Sequence, residues 1–252
     1  MTELWVIVPA YNEAASIGAT LAALARQSDC DFALVVADNE STDSTVDVAR
    51  AFAAAAPFRV DVVSEPMRGA GAAADTGFRH AIVQGATMLA RTDADCLPAP
   101  TWVATARAAL RAGADMACGR SVPRRDERPS PAERYVFPAV VRLAALYGRL
   151  RRTHRGASFR TPYVLVHGHN IAITADLYQR CGGTLRVALR ERSEDVELLN
   201  RARRHSDRIV RVESMVVENS LRRLRAWGAR RTLLWYWDRR YQPADDAAVH
   251  VR

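Results

Sequence analysis

Short apolar runs alternate with segments of helical periodicity along the first half of the chain. The runs that predict buried strands occupy residues 4–8, 32–37, 59–63 and 87–92, and the segments that predict helices occupy residues 14–26, 44–56 and 71–84. Strands separated by helices indicate βαβ units and a mainly parallel sheet. We therefore expect an α/β fold whose ligands bind at the carboxyl ends of the strands.

The pattern changes after Gly119. Charged residues and prolines over 120–131 predict an exposed loop. The elements predicted beyond it are a helix over 132–152, a basic loop over 153–161, a strand near 163–166, a helix over 175–181, a turn at Gly182-Gly183, a helix over 194–204 and a final segment rich in Arg and Trp. No linker is long enough to separate independent domains, so we expect residues 1–252 to form one domain.

Composition excludes several classes of protein. Of the 252 residues, 49% are hydrophobic and 25% are charged, which is typical of a globular chain and not of a disordered or fibrous one. No apolar run approaches the roughly 20 residues that a membrane span needs, and the N-terminus lacks the order of a signal peptide. The spacing of the four cysteines fits no zinc site. These features predict a soluble cytoplasmic protein with reduced thiols.

Charge is divided unevenly between the two halves. The net charge is +8, and lysine is absent, so arginine supplies all 36 residues of the Lys+Arg count. Residues 1–118 hold 8 arginines and 14 acidic residues, whereas residues 119–252 hold 28 arginines and 14 acidic residues. An acidic half beside a basic half suggests that the two halves bind different ligands.

Polar residues follow several of the predicted strands. Residues 9–13 follow the first strand, residues 38–43 the second and Asp93-Ala94-Asp95 the fourth, while residues 193–197 open the last predicted helix. Alternate residues of an extended chain point in opposite directions, so one carboxylate of the Asp pair can bind a metal while the other contacts a ribose or orders water. Oxygen ligands favour Mg2+ or Mn2+. Taken singly, these patterns are also typical of turns and helix caps.

Residues 69–74 give a different prediction. Their sequence matches the dinucleotide fingerprint G-x-G-x-x-A, and Asp93 follows about twenty residues later. The fingerprint normally follows the first strand of its fold, whereas three predicted strands precede it here. A nicotinamide-dependent oxidoreductase therefore stays as an alternative, and backbone N–H groups near Gly71 are candidates for contact with a phosphate or sugar.

Taken together and in order, these segments resemble the inverting family 2 glycosyltransferases with the GT-A fold. The resemblance is carried by residues 6–13 (VIVPAYNE), 35–43 (VVADNESTD), 68–71 (RGAG), 93–95 (DAD), 168–173 (GHNIAI), 182–183 (GG) and 193–195 (SED). It covers most of residues 3–205, and its specificity lies in the order and spacing of short motifs. It implies a mainly parallel sheet flanked by helices and a hexosyl- or N-acetylhexosaminyltransferase activity.

The resemblance implies donor-binding roles for residues of the first half. The nucleoside-binding loop corresponds to Pro9, Ala10, Tyr11 and Glu13. Asp38 corresponds to the residue that contacts the base, and Gly71 lies in the glycine segment on the donor side. Asp93 resembles the residue near the ribose, and Asp95 resembles the ligand of a Mn2+ or Mg2+ ion that bridges the donor's diphosphate.

Residues of the second half take the remaining roles by the same resemblance. Asp195 matches the catalytic base. The acceptor and sugar side corresponds to His169, Asn170 and Glu194. Arg222 and Arg223 belong to a Ser-Arg-Arg stretch found in soluble members, and their guanidinium groups are expected to cover the leaving diphosphate.

Two departures from the family pattern narrow the expected activity. Asp75 stands where the family usually has Asn, and residues 222–227 (RRLRAW) do not match the Q/R-x-x-R-W motif of processive members. The expected function is metal-dependent, non-processive, inverting transfer from a nucleotide-diphosphate sugar, with a UDP-sugar favoured, to an acceptor hydroxyl. A nucleotidyltransferase-like protein and a non-catalytic nucleotide-sugar-binding protein of the same fold stay as alternatives.

The expected partners are a sugar donor and an acceptor, and not a nucleic acid. By the resemblance, residues 1–118 bind the nucleotide sugar, residues 119–220 bind the acceptor, and residues 221–252 form an Arg/Trp-rich helical extension. Seven arginines and no acidic residue between Arg134 and Ala175 favour an anionic acceptor: a small molecule, a glycan or a lipid-linked group. The extension has three interpretations: contact with the inner face of a membrane, closure of the active site, and a homodimer interface.

Overall fold

The computed structural model describes residues 2–136, 138–139, 142, 156, 158–186 and 194–228. Its strands are β1 (Leu4–Ala10), β2 (Ala33–Asp38), β3 (Val60–Ser64), β4 (Met88–Arg91), β5 (Leu97–Pro98), β6 (Met116–Pro123), β7 (Ile171–Thr174) and β8 (Ile209–Asn219). Its helices are α1 (Ile17–Ala25), α2 (Thr45–Ala55), α3 (Ala70–Val83), α4 (Trp102–Arg111), α5 (Ala175–Arg180) and α6 (Glu194–His205).

All eight strands form one sheet in the order β3-β2-β1-β4-β7-β6-β8-β5. The pairs β3-β2, β2-β1 and β1-β4 are parallel, as is β6-β8. Strand β7 runs antiparallel between β4 and β6, and β5 pairs antiparallel with β8. Because βαβ units build the first half, the predicted mainly parallel α/β architecture is confirmed there.

The core lies on both faces of the sheet because β1 is apolar at every position. Leu4, Val6 and Val8 face one apolar layer, which α1 and α4 cover, while Trp5 and Ile7 face the opposite layer, which α3, α5 and α6 cover. Successive strand residues point to opposite faces, so a continuous apolar run is what a strand buried on both sides requires. The apolar runs of the sequence therefore identified central strands correctly.

Two predictions of the second half are wrong. The loop predicted from residue 120 begins only after Pro123, because residues 120–123 pair with β8 and continue β6. Residues 163–166 do not form the predicted strand: the Leu165 carbonyl accepts a hydrogen bond from the Arg211 guanidinium at 3.0 Å. Val164 and Val166 are buried and alternate with less buried residues. The segment therefore has the apolar pattern of a strand, although it is not part of the sheet.

Several elements were not predicted at all: α4, β5, β6, β7 and β8. The helix predicted over 132–152 lies largely outside the described residues, within which Ala132–Val136 form a short π-helical turn. Most of the Arg/Trp-rich segment also lies outside them, and residues 222–228 are helical. No helix within the described ranges is long and apolar enough to cross a bilayer.

The topology brings the ends of several strands to one edge of the sheet, called here the site edge. Strands β1, β2 and β4 are parallel, and their last residues are Ala10, Asp38 and Arg91. The antiparallel β7 starts at that edge, since Ile171 pairs with Arg91, and β6 and β8 both end there. Segments distant in sequence are therefore neighbours at this edge.

Candidate active site

The loops after β1 and β2 are tied to each other by side chains. Asn12 has a φ of 51°, in the left-handed region, and its backbone N–H donates to the Ser41 hydroxyl at 2.9 Å. The Asn12 side-chain oxygen accepts from the Thr42 N–H at 2.8 Å, and the Glu13 N–H donates to the Thr45 hydroxyl at 2.8 Å. These bonds give the loop that follows β1 one defined shape.

The predicted nucleoside loop begins within the sheet. Pro9 and Ala10 are the buried last residues of β1, and Tyr11 is half-buried just beyond them. Asp38 ends the neighbouring strand β2, where it pairs with Ala10 across the sheet. The structure therefore brings the predicted loop and the predicted base-contacting residue together.

Asp38 carries an acceptor with no protein partner in the described part of the chain. The residue is 5% exposed, and its Oδ2 accepts from the Ser41 N–H at 3.0 Å. Its Oδ1 is buried and makes no hydrogen bond. An unsatisfied buried carboxylate oxygen is costly and calls for an explanation. A ligand N–H group placed at the end of β2 would satisfy it.

An ion-pair cluster joins three distant segments at the site edge. The Arg222 guanidinium donates to the Glu13 carboxylate, with Nη1 at 2.8 Å from Oε2, and its Nη2 lies 3.1 Å from the Asp95 Oδ2. The Arg124 guanidinium also donates to the Asp95 backbone carbonyl at 3.0 Å. Asp95, its neighbours and the segment after β8 are thus held in one place.

Burial and charge act in opposite directions on the two carboxyl groups of this cluster. Burial raises the pKa of Glu13, an effect that the hydrogen bond from Arg222 only partly offsets. Burial alone would raise the pKa of Asp95 as well, but the positive charges of Arg222 and Arg223 outweigh it and lower this pKa. Asp95 is therefore held as the ionised member.

The segment after β8 is anchored independently of that cluster. The Leu221 N–H donates to the Glu127 carboxylate at 2.8 Å, and Arg225 pairs with Glu133 at 2.9 Å. The Arg223 guanidinium carbon lies 5.5 Å from the centroid of the Trp227 ring. These contacts place the predicted diphosphate-covering arginines beside Asp95.

Asp195, the predicted base, is the second residue of α6. Its Oδ2 accepts from the Gly168 N–H at 3.1 Å, and its Oδ1 accepts from the Val196 N–H at 2.8 Å. Each oxygen keeps a lone pair after these bonds, since a carboxylate has about four acceptor positions. The carboxylate is oriented by the backbone and still able to accept a proton.

Arg91 lies buried between the Asp93 and Glu194 carboxylates. Its Nε is 3.1 Å from an Asp93 oxygen, and its Nη2 is 3.4 Å from a Glu194 oxygen. Burial by itself would lower the pKa of Arg91, but the two carboxylates outweigh it and raise this pKa. Burial raises the pKa of Glu194, and the charge of Asp195 adds to the effect. Sequence reasoning missed Arg91, although an arginine ending an apolar run was a visible signal.

The two predicted residues of the acceptor side before β7 differ in environment. The His169 ring lies 2.9 Å from the Ser121 hydroxyl and 5.4 Å from the His167 ring centroid. Burial lowers the pKa of His169, against the opposing charges of Asp93 and Asp95. Asn170 is fully buried, and its amide is used by Trp102 and by two backbone carbonyls. Asn170 thus joins α4, β6 and β8 through its side chain.

Gly71 packs against protein atoms. It lies in the first turn of α3, and a Cβ there would stand within 3.2 Å of the Glu194 Cβ and closer still to the Leu185 carbonyl. The glycine is needed because α3 and α6 approach each other closely here. The structure gives no opening for a phosphate at the side-chain position of this residue.

Asp75, which stands where the family usually has Asn, is bound by neighbouring side chains. It is fully buried, and its Oδ1 accepts from the Tyr178 hydroxyl at 2.8 Å while its Oδ2 accepts from the Arg79 Nε at 2.7 Å. Gly183, with a φ of +70°, packs so closely that a Cβ would lie 2.7 Å from the Asp75 Oδ1. The predicted Gly182-Gly183 turn therefore supports α3.

The carboxylates at the site edge suit a hard divalent cation. Oxygen ligands are those that Mg2+ and Mn2+ prefer, and Mg2+ usually binds through one or two carboxylates together with substrate phosphates. Within the described residues no group of three or more His, Cys, Asp or Glu side chains could hold a metal ion by itself. Asp95, with its side chain 22% exposed, fits a site whose remaining ligands come from a bound diphosphate.

Residues 5–182 match the family described as Glycosyl transferase family 2. The chain belongs to this family. Membership confirms the resemblance and removes support from the dinucleotide interpretation of residues 69–74.

Two characterised relatives match short parts of this chain. Glycosyltransferase AglE of Haloferax volcanii is 33% identical over 100 residues, which cover 39% of this chain and 32% of that protein. Validoxylamine A glucosyltransferase of Streptomyces hygroscopicus is 49% identical over 51 residues, which cover 19% of this chain and 12% of that protein. The matches span about a third or less of each relative's length.

Solved structures share the fold at low sequence identity. A mannosyltransferase from Pyrobaculum calidifontis, in complex with GDP-Man and Mn2+, has a TM-score of 0.62 and 24% identity over 86% of this chain and 56% of its own. S. aureus TarS in complex with UDP has a TM-score of 0.62 and 16% identity over 91% and 63%. Glucosyl-3-phosphoglycerate synthase from Mycobacterium tuberculosis has a TM-score of 0.57 and 22% identity over 97% and 82%. The GT-A fold is thereby confirmed.

Proposed function

We propose that this protein transfers a sugar from a nucleotide-diphosphate sugar, with a UDP-sugar favoured, to an acceptor hydroxyl with inversion. The observation that carries the proposal is the ion-pair network of the site edge. In it Arg222 joins Glu13 to Asp95, and Arg91 joins Asp93 to Glu194. Membership of glycosyl transferase family 2 supports the reaction class.

Asp38 supports the choice of nucleotide. Its unsatisfied Oδ1 can accept from the ring N–H of uracil or guanine, whereas adenine has no ring N–H and offers only its exocyclic amino group. The structural relatives were solved with UDP, UDP-GlcNAc or GDP-Man. We favour uridine because the resemblance gives Asp38 the position that contacts the base.

A divalent cation, Mn2+ or Mg2+, is part of the proposal. Asp95 would hold it, with Asp93 beside it and the donor's diphosphate completing the ligand set. Its positive charge stabilises the negative charge that develops on the leaving group. Two of the structural relatives were solved with Mn2+, which supports this assignment.

In the proposed chemical step, Asp195 accepts the proton of the acceptor hydroxyl. The acceptor oxygen forms a bond to the anomeric carbon while the bond from that carbon to the diphosphate oxygen breaks. The electron pair of the broken bond leaves with the nucleoside diphosphate, and the acceptor proton moves to the Asp195 carboxylate. Attack from the face opposite the leaving group inverts the anomeric centre. In this proposal, Arg222 and Arg223 would contact the departing diphosphate.

The two halves of the chain divide these tasks in the proposal. Residues 1–118 bind the nucleotide sugar and residues 119–220 provide the acceptor side, which includes His169. The arginine-rich stretch between Arg134 and Ala175 favours an anionic acceptor.

A nucleotide-binding screen followed by a donor-hydrolysis assay tests the proposal. UDP, GDP and ADP are titrated calorimetrically with and without Mn2+, and we expect UDP to bind best and the ion to tighten binding. Asp38→Asn should narrow the preference for UDP over ADP. Slow release of UDP and free sugar from a UDP-sugar would identify an enzyme. Binding without any turnover would instead favour a binding protein, and absence of nucleotide binding would refute the proposal.

A further inference from the structure

We propose that Arg91 is a positioning residue that fixes the helix carrying Asp195 to the donor-binding end of β4. This inference rests on the proposed function, in which Asp195 is the base and Asp93 lies on the donor side. Nothing in the family motifs of the sequence assigns a role to Arg91. Its place in the sheet and the two carboxylates that it joins indicate this role.

Arg91 occupies a strand position that normally takes an apolar side chain. It ends β4, an interior strand, and its neighbours across the sheet are Ile7 on β1 and Ile171 on β7. The arginine side chain is 3% exposed. A buried guanidinium carries a large desolvation penalty unless it is well paired, so this position must be matched to specific partners.

The partners come from elements that only the tertiary structure brings together. Asp93 follows Arg91 at the end of β4, whereas Glu194 is 103 positions away and is the first residue of α6. The Arg91 Nε lies 3.1 Å from Asp93 and the Nη2 lies 3.4 Å from Glu194. One rigid, planar group therefore spans the donor side and the start of the base helix.

Asp195 is linked to Arg91 from both sides. Glu194 precedes it directly in α6, and Gly168, whose N–H donates to the Asp195 carboxylate at 3.1 Å, lies against the same guanidinium. A Cβ built on Gly168 would stand 3.5 Å from the Arg91 Nη2 and 3.4 Å from the Asp195 Cβ. A shift of the guanidinium would thus move both the helix start and the loop that orient the base.

A simpler role for Arg91 would be that of a counter-ion that makes the buried Glu194 tolerable. The two roles predict different behaviour when both charges are removed. A counter-ion to Glu194 becomes dispensable once Glu194 is neutral, whereas a positioning residue is still needed for turnover. Asp93 keeps its charge in these variants, but its side chain is 32% exposed and water can solvate it. The variants Arg91→Lys, Arg91→Met, Glu194→Gln and Arg91→Met/Glu194→Gln separate these roles.

The experiment compares turnover, donor affinity and local stability in these variants. A lysine at 91 offers one ammonium in place of the planar fork and cannot reach both carboxylates in the same way. We expect Arg91→Lys to fold, to keep its donor KM within about threefold, and to lose about 10- to 100-fold in kcat, because small misplacement of a catalytic group is costly. Hydrogen exchange at the start of α6 should also become faster in Arg91→Lys.

Arg107→Lys is the matched control. Arg107 is also buried, with its side chain 8% exposed, and pairs with Asp29 at 2.6 Å away from the site edge. We expect its kcat to stay within about twofold of the wild type, since a comparable ion pair is disturbed without moving α6.

Each outcome decides the proposal. If Arg91→Met/Glu194→Gln is more stable than Arg91→Met but keeps a low kcat, positioning is supported, whereas a kcat that recovers together with the stability overturns it. An unchanged kcat in Arg91→Lys, or a loss equal to that of Arg107→Lys, also overturns it. If the wild type turned over no donor, the proposed function would fail separately. The exchange measurement would then still decide, because unchanged exchange at the start of α6 refutes the link.

Discussion

Replacing Arg222 by methionine should destabilise the protein in a pH-dependent way. The methionine keeps most of the apolar stem and removes the guanidinium that contacts Glu13 and Asp95. Arg222 is 30% exposed, whereas the Glu13 side chain is 9% exposed, so the variant leaves a nearly buried carboxylate without its cation. We expect the unfolding free energy to fall at neutral pH.

The magnitude follows from the contact distances. Unit charges 2.8 Å apart attract by about 6 kcal/mol at an effective dielectric constant of about 20, which is an upper limit for the Glu13 contact. Exposure of Arg222 reduces this figure, and removing one partner of a fully buried pair costs roughly 3–5 kcal/mol. We therefore expect a loss of about 2–4 kcal/mol at pH 7, or roughly 4–16 °C in Tm for a chain of this size.

The sign of the pH dependence is set by Glu13. Burial already raises its pKa in the folded protein, and loss of Arg222 removes the main opposing effect. A carboxyl group with a raised folded pKa destabilises the fold only above its unfolded pKa, because below it the group is protonated in both states. The penalty of Arg222→Met should thus be small near pH 4 and grow as the pH rises toward neutrality.

Urea unfolding at pH 4.5 and pH 7.5 measures this difference. Arg225→Met is the matched control, because Arg225 lies in the same helical segment and pairs with Glu133, but its side chain is 43% exposed. An exposed pair of this kind contributes about 0–1 kcal/mol. Equal losses in the two variants, or a loss in Arg222→Met that does not change with pH, would refute the reasoning.

Three further predictions concern single side chains. Asp195→Asn should leave UDP affinity nearly unchanged in calorimetry and lower turnover by about 100-fold or more, since a general base is removed, and near-normal turnover would contradict its role. Asp95→Ala should abolish the effect of Mn2+ on UDP binding, and an undiminished effect would argue against Asp95 as the ligand. Burial lowers the pKa of His167 well below its ordinary value, so wild-type stability should fall as the pH drops below about 6.5, by up to ~1.4 kcal/mol per pH unit from this group. Urea unfolding of His167→Gln should show a shallower pH dependence, and parallel profiles would refute the assignment.

The sequence predicted the elements from β1 to β4 well because they are locally encoded. Strands β1 to β4 are apolar runs between turn residues, and α1 to α3 carry helical periodicity. Beyond β4 the pattern is less informative, and α4 and β6 were not predicted. The strand β8 alternates buried and exposed residues irregularly because it lies between β6 and the short β5, with a register shift at Gly119/Arg120. Its hydrogen-bonding partners are distant in sequence, and no local signal marks them.

The candidate site was likewise predicted from the sequence only in part. Asp38, Asp95 and Asp195 were found from motif order, and the structure brings their segments to one edge of the sheet. The resemblance gave Gly71 a donor-side role and Asn170 an acceptor-side role. In the structure the side-chain position of Gly71 packs against Glu194, and the Asn170 side chain accepts a hydrogen bond from Trp102.

The sequence by itself determined the family and the alternation of strands and helices up to β4, and it supplied the candidate residues for the proposed reaction. Those features depend on local periodicity and on short motifs whose spacing can be read along the chain. The tertiary structure alone decided which charges meet: Arg222 is 209 positions from Glu13, and Arg91 is 103 positions from Glu194. A buried charge is stable only beside its partner, and the partner is chosen by how the strands and helices pack in three dimensions.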